Sequence, residues 1–321
     1  MTNLFIKPSN LVSAGISFAE SVVSNRARIK GMPVSVSVEL TNNCNLKCPE
    51  CATGTEKLNR ERGFMDLIFF KNIIEELKPY LYYINLYFQG EPMLHPDFFS
   101  FVESCEGIYS VVSTNGHFLS RDSSERLVKS GLRKLIVSVD GADKESYSAY
   151  RINGSLDKVV EGLENIHEVR KRYKSQMALE IQTIVNRRNE NQIPEIGKLA
   201  KRVGANLKLK SMQIINMDKT ALWIPDKEKY RRYLLSGDAY KIKSSMPNRC
   251  ARLWFNPVIT WDGKVVPCCF DKDAKYTMGS LVEKSFREIW NSSEYRAFRH
   301  SVLSNRRQID ICNNCTSGLN N

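Results

Sequence analysis

The sequence holds no apolar run approaching the roughly 18–20 residues needed to cross a bilayer. The nearest candidate, Leu11–Val23, is amphipathic and broken by Glu20, and no convincing small-residue cleavage site follows it. These absences speak against a membrane anchor and a secretory signal, and the chain reads as a soluble, cytoplasmic protein. Low-complexity tracts and internal repeats are missing too, and prolines number only 11 among 321 residues. With 42% hydrophobic and 26% charged residues, a disordered chain is excluded. The length suits one large α/β domain plus a smaller one.

Positive charge is not scarce. Lys and Arg total 47 against 35 Asp and Glu, a formal net charge of +12. That balance suits nucleic acid, an anionic membrane surface, an acidic protein, or simply a solvated basic exterior, and the basic residues are scattered along the chain. Arg26, Arg28 and Lys30 follow the Leu11–Val23 stretch, which allows a membrane or acidic-partner contact beside the ordinary reading of a packed helix.

Residues 33–40 (PVSVSVEL) alternate apolar and polar and predict a strand. Met65–Lys78 places Phe69, Ile73, Ile74 and Leu77 at helical spacing, with Pro79 as the stop. Further strands are expected at Tyr82–Phe88, Tyr109–Ser113, Lys134–Val139, Ala178–Val185 and Asn206–Met212. Helical patterns at 120–130, 155–172 and 190–203 separate them, the second behind a Ser155 cap. Six strands alternating with helices over 33–212 describe a parallel array short of the eight units of a complete barrel, so a partial (β/α)6 barrel is expected. Its strand ends bring the first cysteines, Gly90–Pro92, Ser113–Gly116 and Asp140–Gly141 to one rim. Residues 213–249 read as a mixed helical connector. Beyond it, Trp254–Thr260 and Lys264–Pro267 flank an Asp262-Gly263 hairpin turn, and helices are expected at 284–290 and 292–303.

Nine cysteines carry the chemistry. Their number is odd and the core is ample, so a disulfide framework is a poor reading. Cys44, Cys48 and Cys51 form a C-x3-C-x2-C group, and Cys250, Cys268, Cys269, Cys312 and Cys315 lie in the last quarter. Cys105 stands alone on an expected helix and reads as a small buried apolar residue. Three thiolates hold three corners of a cubane iron–sulfur cluster and leave the fourth iron open to a ligand. A closed zinc site needs four ligands, and only His95 or His117, brought in by the fold, would complete one at the first group. Cys250, Cys268, Cys312 and Cys315 supply four thiolates, suited to zinc or to a fully ligated iron–sulfur cluster.

The C-x3-C-x2-C group after the first strand of a six-unit β/α array resembles the radical S-adenosylmethionine (SAM) superfamily. The resemblance implies that Cys44, Cys48 and Cys51 hold a catalytic 4Fe–4S cluster whose open iron is chelated by the methionyl amine and carboxylate of SAM. One electron would then release a 5′-deoxyadenosyl radical that abstracts hydrogen from substrate, inside an enclosing barrel. It further implies SAM contacts: Gly90, Glu91 and Pro92 at the amine, Ser113 and Asn115 near ribose and methionine, Ser138 and Asp140 at the ribose, and Arg151 at the carboxylate. Gln182 and Asn186 are additional candidates. The superfamily's aromatic residue before the third cysteine, which touches adenine, is here Glu50, so adenine packing is expected from backbone and apolar residues of the fifth and sixth strands.

The spacing Cys250-x12-Gly263-x4-Cys268, then Cys312-x2-Cys315, is similar to the C-terminal SPASM extension in its shortened twitch form. That resemblance implies one auxiliary 4Fe–4S cluster on Cys250, Cys268, Cys312 and Cys315, since the sequence runs only six residues past Cys315; Cys269 competes with Cys268. The expected organisation is an N-terminal helical segment (1–32), a radical SAM partial barrel (33–212), a connector (213–249) and a small α+β SPASM/twitch domain (250–321). The function implied is a radical SAM oxidoreductase acting on a sugar, aminocyclitol or peptide, with two 4Fe–4S clusters, SAM, and a reducing flavodoxin or ferredoxin as electron donor. Two alternatives stand beside it: a radical SAM enzyme modifying RNA, disfavoured because no RNA-binding domain is visible, and a cysteine-rich zinc protein without catalysis.

Overall fold

The computed structural model describes residues 5–236, 239–243 and 245–315. Helix α1 (Ile6–Ser24) precedes six strands that lie side by side in chain order and run parallel. These are β1 (Ser35–Val38), β2 (Tyr83–Asn85), β3 (Tyr109–Thr114), β4 (Lys134–Ser138), β5 (Ala178–Val185) and β6 (Asn206–Ser211). Between them come α2 (Leu67–Leu77), α3 (Phe98–Glu103), α4 (Arg121–Lys129), α5 (Lys144–Tyr150), α6 (Leu156–Arg172) and α7 (Ile193–Arg202). Ser120, Asp143 and Ser155 fix where three of these helices begin, each accepting a bond from the backbone N–H three residues on.

Alternation along the strands gives the sheet two unlike faces. Val36, Ile84, Val112, Leu135 and Ile181 bury into one core with Leu77, Phe101, Leu127, Leu163 and Ile196 of the helices. The other face is polar: Asn85 donates to Ser37 (2.9 Å), Lys134 pairs with Glu180 (2.6 Å) and Tyr83 stacks on Tyr109.

The connector expected to be helical carries α8 (Thr220–Trp223) and an antiparallel hairpin, β7 (Tyr233–Ser236) with β8 (Ala239–Ile242). The C-terminal part follows as α9 (Arg252–Phe255), β9 (Val258–Ile259), β10 (Lys264–Val266), β11 (Gly279–Ser280), α10 (Phe286–Trp290) and α11 (Ser293–Asn305). β9 pairs parallel to β1, and β10 and β11 add antiparallel strands beyond it. One nine-stranded sheet therefore runs across the boundary expected at residue 250.

Three expected strands are much shorter than read, the one expected over 33–40 pairing only at Ser35–Val38. Trp254–Thr260 begins as α9, because the turn after Cys250 sends Trp254 into the core, edge-on to Phe18 and with its indole N–H on the Arg28 carbonyl (3.0 Å). Only Val258 and Ile259 pair. In Tyr82–Phe88 the pairing covers Tyr83–Asn85, and Phe88 and Gln89 turn out to line a cavity. Cys105 is buried two residues past α3. No helix among the described residues is long and apolar enough to cross a membrane.

Candidate active site

The loop after β1 carries Cys44, Cys48 and Cys51 to the C-terminal end of the parallel strands. Asn42 fastens it from both sides, donating to the Glu61 carbonyl (2.8 Å) and accepting from the Gly63 N–H (3.0 Å). The loop after β2 crosses it at close range: the Glu91 N–H bonds the Asn43 carbonyl (2.8 Å). A Cβ on Gly90, at φ 75°, would stand 2.5 Å from the Thr41 carbonyl oxygen, so this crossing requires glycine.

The three thiols line one cavity of about 270 Å³ together with Gly90, Glu91, Ser113, Asn115, Ser138 and Arg151. Ser113 and Ser138 face it from β3 and β4. Asn115 is turned by a bond to Asn45 (2.7 Å). Glu91 is wholly buried, and its carboxylate accepts from Met93 N–H (3.1 Å), Thr114 Oγ1 (2.7 Å) and Asn115 N–H (2.6 Å), which locks the second strand's loop to the third strand's end. Burial outweighs these bonds and pushes its carboxyl up to about 7. Pro92 is buried behind Glu91 and does not reach the cavity.

Asp140 departs from expectation. Its side chain is fully buried away from the cavity, accepting from Arg151 Nε (2.6 Å), from Arg151 Nη2 (2.6 Å) and from the Ile184 N–H (2.6 Å). Asp140 thus holds the guanidinium in place and keeps its charge paired, with Nη1 left 3.8 Å from Cys48 Sγ. Gln182 and Asn186 do not line the cavity; Asn186 is buried in a turn with Asn189. Neither histidine is available to the first cysteines. His95 bonds the Met65 carbonyl (2.9 Å) and the Asp97 N–H (3.0 Å), and His117 accepts from the Ser155 N–H (2.7 Å).

Leu46, Tyr150, Gln213 and Lys272 line the cavity without having been singled out as ligand contacts, whereas Glu50 and the fifth-strand Ile184 stand where the adenine expectation placed them. Leu46, Tyr150 and Ile184 supply apolar wall, and Glu50, Gln213 and Lys272 supply polar wall. Glu50 Oε2 accepts from the Ile215 (2.6 Å) and Asn216 (3.2 Å) N–H groups, while its buried Oε1 has no protein partner. Lys272 belongs to the C-terminal part yet stands in this wall, with Nζ 3.3 Å from Gln213 Oε1. Burial holds its ammonium below the ordinary lysine range, against the opposing pull of Cys51 and Cys269. A lysine four residues past Cys268 carries no local signal of this placement.

The second cysteine group is assembled from separate segments. Cys250 precedes α9, Cys268 follows β10, and Cys312 and Cys315 follow α11. Cys268, Cys312 and Cys315 are buried and Cys250 is half-buried. Cys268 is within electrostatic reach of Cys250 and Cys315, and Cys312 of Cys315 and Cys250. Arg306 Nη2 lies 3.6 Å from Cys315 Sγ, and Arg252 lies beside Cys250, Cys268, Cys269 and Cys315. Cys269 is half-buried and turned toward Arg252 and Lys272.

Among the described residues, no three Cys, His, Asp or Glu side chains are drawn together as a ready single-ion site. The donor chemistry fits iron–sulfur centres. Burial pushes Cys44 up to about 12 and Cys312 up to about 11, so these thiols ionise only against a strong cation, and an arginine stands beside each group.

Known proteins agree with this construction. Residues 38–199 match the radical SAM superfamily, and residues 250–316 match SPASM, an iron–sulfur cluster-binding domain. The mycofactocin maturase MftC of Mycobacterium tuberculosis is 32% identical over 180 residues, 55% of this chain and 44% of that protein, so the match spans less than half of that relative. The S-adenosyl-L-methionine-dependent 2-deoxy-scyllo-inosamine dehydrogenase of Niallia circulans is 22% identical over 289 residues, 88% of this chain and 92% of that one. The crystal structure of Streptococcus suis SuiB bound to S-adenosylmethionine shares the fold at a TM-score of 0.63 and 15% identity, covering 90% of this chain and 72% of that one. Half of the sequence lies within the first match and the second cysteine group within the other, and the chain accordingly belongs to the radical SAM superfamily with a C-terminal SPASM domain.

Proposed function

We propose that the protein is an oxidoreductase that uses the 5′-deoxyadenosyl radical to take a hydrogen atom from a small polar molecule or a peptide, completing a two-electron oxidation. The observation that carries this reading is Lys272. The segment of the second cysteine group forms part of the wall of the first group's cavity, so the two groups serve one reaction space. Cys44, Cys48 and Cys51 would hold a cluster able to supply the electron for cleavage of SAM, and Cys250, Cys268, Cys312 and Cys315 would hold an auxiliary cluster able to accept the second electron.

The chain's own residues orient the ligands. Arg151, held rigid by Asp140, offers a fixed cation to the carboxylate of SAM. Ser113 and Ser138 present hydroxyls suited to a ribose, and Leu46 and Ile184 present apolar surface suited to adenine. Glu91 acts behind them as a positioning residue, because its oxygens are already occupied. Two substrate classes are suggested by the relatives' names: a peptide, since SuiB is solved bound to a precursor peptide and MftC is a maturase, and an aminocyclitol such as 2-deoxy-scyllo-inosamine. A net charge of +12 suits an acidic electron donor such as a flavodoxin or ferredoxin.

The test is anaerobic reconstitution with iron and sulfide, addition of dithionite and SAM, and assay of 5′-deoxyadenosine with candidate substrates. A product two electrons more oxidised than its substrate supports the reading. A product at the substrate's own oxidation level contradicts the oxidative half of it.

A further inference from the structure

Helix α1 buries a polar stripe and exposes an apolar one. Its buried residues are Asn10, Ala14, Ser17 and Ser21. They are buried because the chain folds back along them: Asn10 exchanges bonds with Met32 (3.0 and 2.8 Å), Ser17 Oγ accepts from the Lys30 N–H (2.6 Å), and Ser21 Oγ accepts from the Arg28 N–H (2.9 Å). Phe18 and Val22 pack against the core, Phe18 on Trp254 and Phe255, but the other large apolar side chains point outward: Phe5 is 80% exposed, Leu11 44%, Val12 60%, Ile16 46% and Val23 87%. At about 100° per residue, Phe5, Val12, Ile16 and Val23 fall within an arc of about 40°, opposite the buried serines. A packed surface helix places its apolar stripe against the core. Here one apolar stripe is left in solvent over the length of the helix.

The surroundings of this stripe are cationic. Between Phe5 and Lys30 there are four basic residues and one acidic residue, Glu20, which Lys30 pairs at 2.5 Å. Arg26 and Arg28 are exposed just beyond the helix end. At the other end, on the side of the helix away from the stripe, Lys7 lies over the Tyr82 ring and near Lys78. An exposed apolar stripe on a helical segment of net positive charge is the composition that lies on an anionic bilayer surface. A second copy of the chain would bring the same positive charge against itself, with Glu20 as the single acid of the segment to answer it.

We propose that the outer face of α1 is a docking surface for an anionic phospholipid bilayer. The helix lies in the plane of the interface, with Val12, Ile16 and Val23 in the acyl boundary and Arg26 and Arg28 on the phosphates. Lys7 hydrogen-bonds the Gly107 carbonyl two residues before β3, which places the start of α1 at the N-terminal end of the parallel strands. The cysteine cavity lies at the opposite end and would open away from the membrane.

The experiment uses the full-length, cluster-loaded protein and sedimentation with phosphatidylcholine vesicles, with and without about one third phosphatidylglycerol. The wild type is expected to partition onto the anionic vesicles and to be released at about 0.5 M salt. V12S/I16S, neutral changes at exposed positions, should weaken binding about tenfold, and R26E/R28E should abolish the preference for anionic lipid. Circular dichroism checks that both variants stay folded. Equal sedimentation of V12S/I16S and wild type, or no binding to anionic vesicles, overturns the proposal. A dimer in light scattering that V12S/I16S dissolves overturns it in favour of a second copy.

Discussion

The two cysteine groups differ in how they are built. Cys44, Cys48 and Cys51 come from one loop of eight residues and face a cavity. Cys250, Cys268, Cys312 and Cys315 come from three separate stretches of chain and are largely buried, so that site is complete only when the C-terminal part has folded. Their charges differ as well. The arginine of the first group is paired with Asp140, and the buried acid Glu91 stands close by. The second group faces two guanidiniums, Arg252 and Arg306. Open and near-neutral on one side, enclosed and cationic on the other, the groups differ in the way the proposed division of work requires: a ligand held at the first, an electron received at the second.

The largest way to break this comparison is to remove one group at a time. Cys48→Ala should reduce 5′-deoxyadenosine formation to background, whereas Cys315→Ala should leave it standing while lowering the iron content. Equal losses in both would mean that the groups do not divide the work. Next comes the buried pair. Asp140→Ala strands the Arg151 charge and should cost about 3–5 kcal/mol in urea unfolding, with a weaker hold on SAM. Asp140→Asn should cost less.

Glu91 sharpens the contrast through pH. Its folded carboxyl sits at about 7 against an ordinary 4.5, so the folded state binds the proton more tightly than the unfolded one. Stability of the cluster-free protein should therefore fall as pH rises from about 4.5 to about 7, by up to about 3 kcal/mol, and level off above. Glu91→Gln should flatten that slope in pH-dependent melts. The smallest effect expected is electrostatic tuning at the second group. Arg306→Gln should lower that centre's midpoint potential in an EPR-monitored titration by roughly 59 mV, a tenfold change for one electron, and Arg306→Lys should restore part of it.

Much of the first site was legible because its signals are local. A strand that alternates Val and Ser, a triple-cysteine loop and a Gly-Glu-Pro turn are each complete within a few residues, and the parallel array places them on one rim. What stayed hidden depends on distant contacts. Asp140 looks like a ribose ligand until Arg151 and the Ile184 N–H are seen to occupy its oxygens. Trp254 reads as a strand residue until the core beside Phe18 claims it. Lys272 enters the first cavity only because β9 adds to the free edge of β1, and no periodicity announces a parallel pairing across some 220 residues. The N-terminal helix was readable as a helix, but an apolar stripe turned out to face solvent, since the returning segment 28–32 asks for hydrogen bonds.

The most direct test of two centres with separate roles is EPR of the dithionite-reduced, reconstituted protein, recorded with and without SAM, for the wild type and for C44A/C48A/C51A. The expected result is a wild-type signal that changes on adding SAM, and a variant that keeps an iron–sulfur signal blind to SAM. A variant with no such signal, or one whose signal still responds to SAM, would contradict the division of labour between the two cysteine groups.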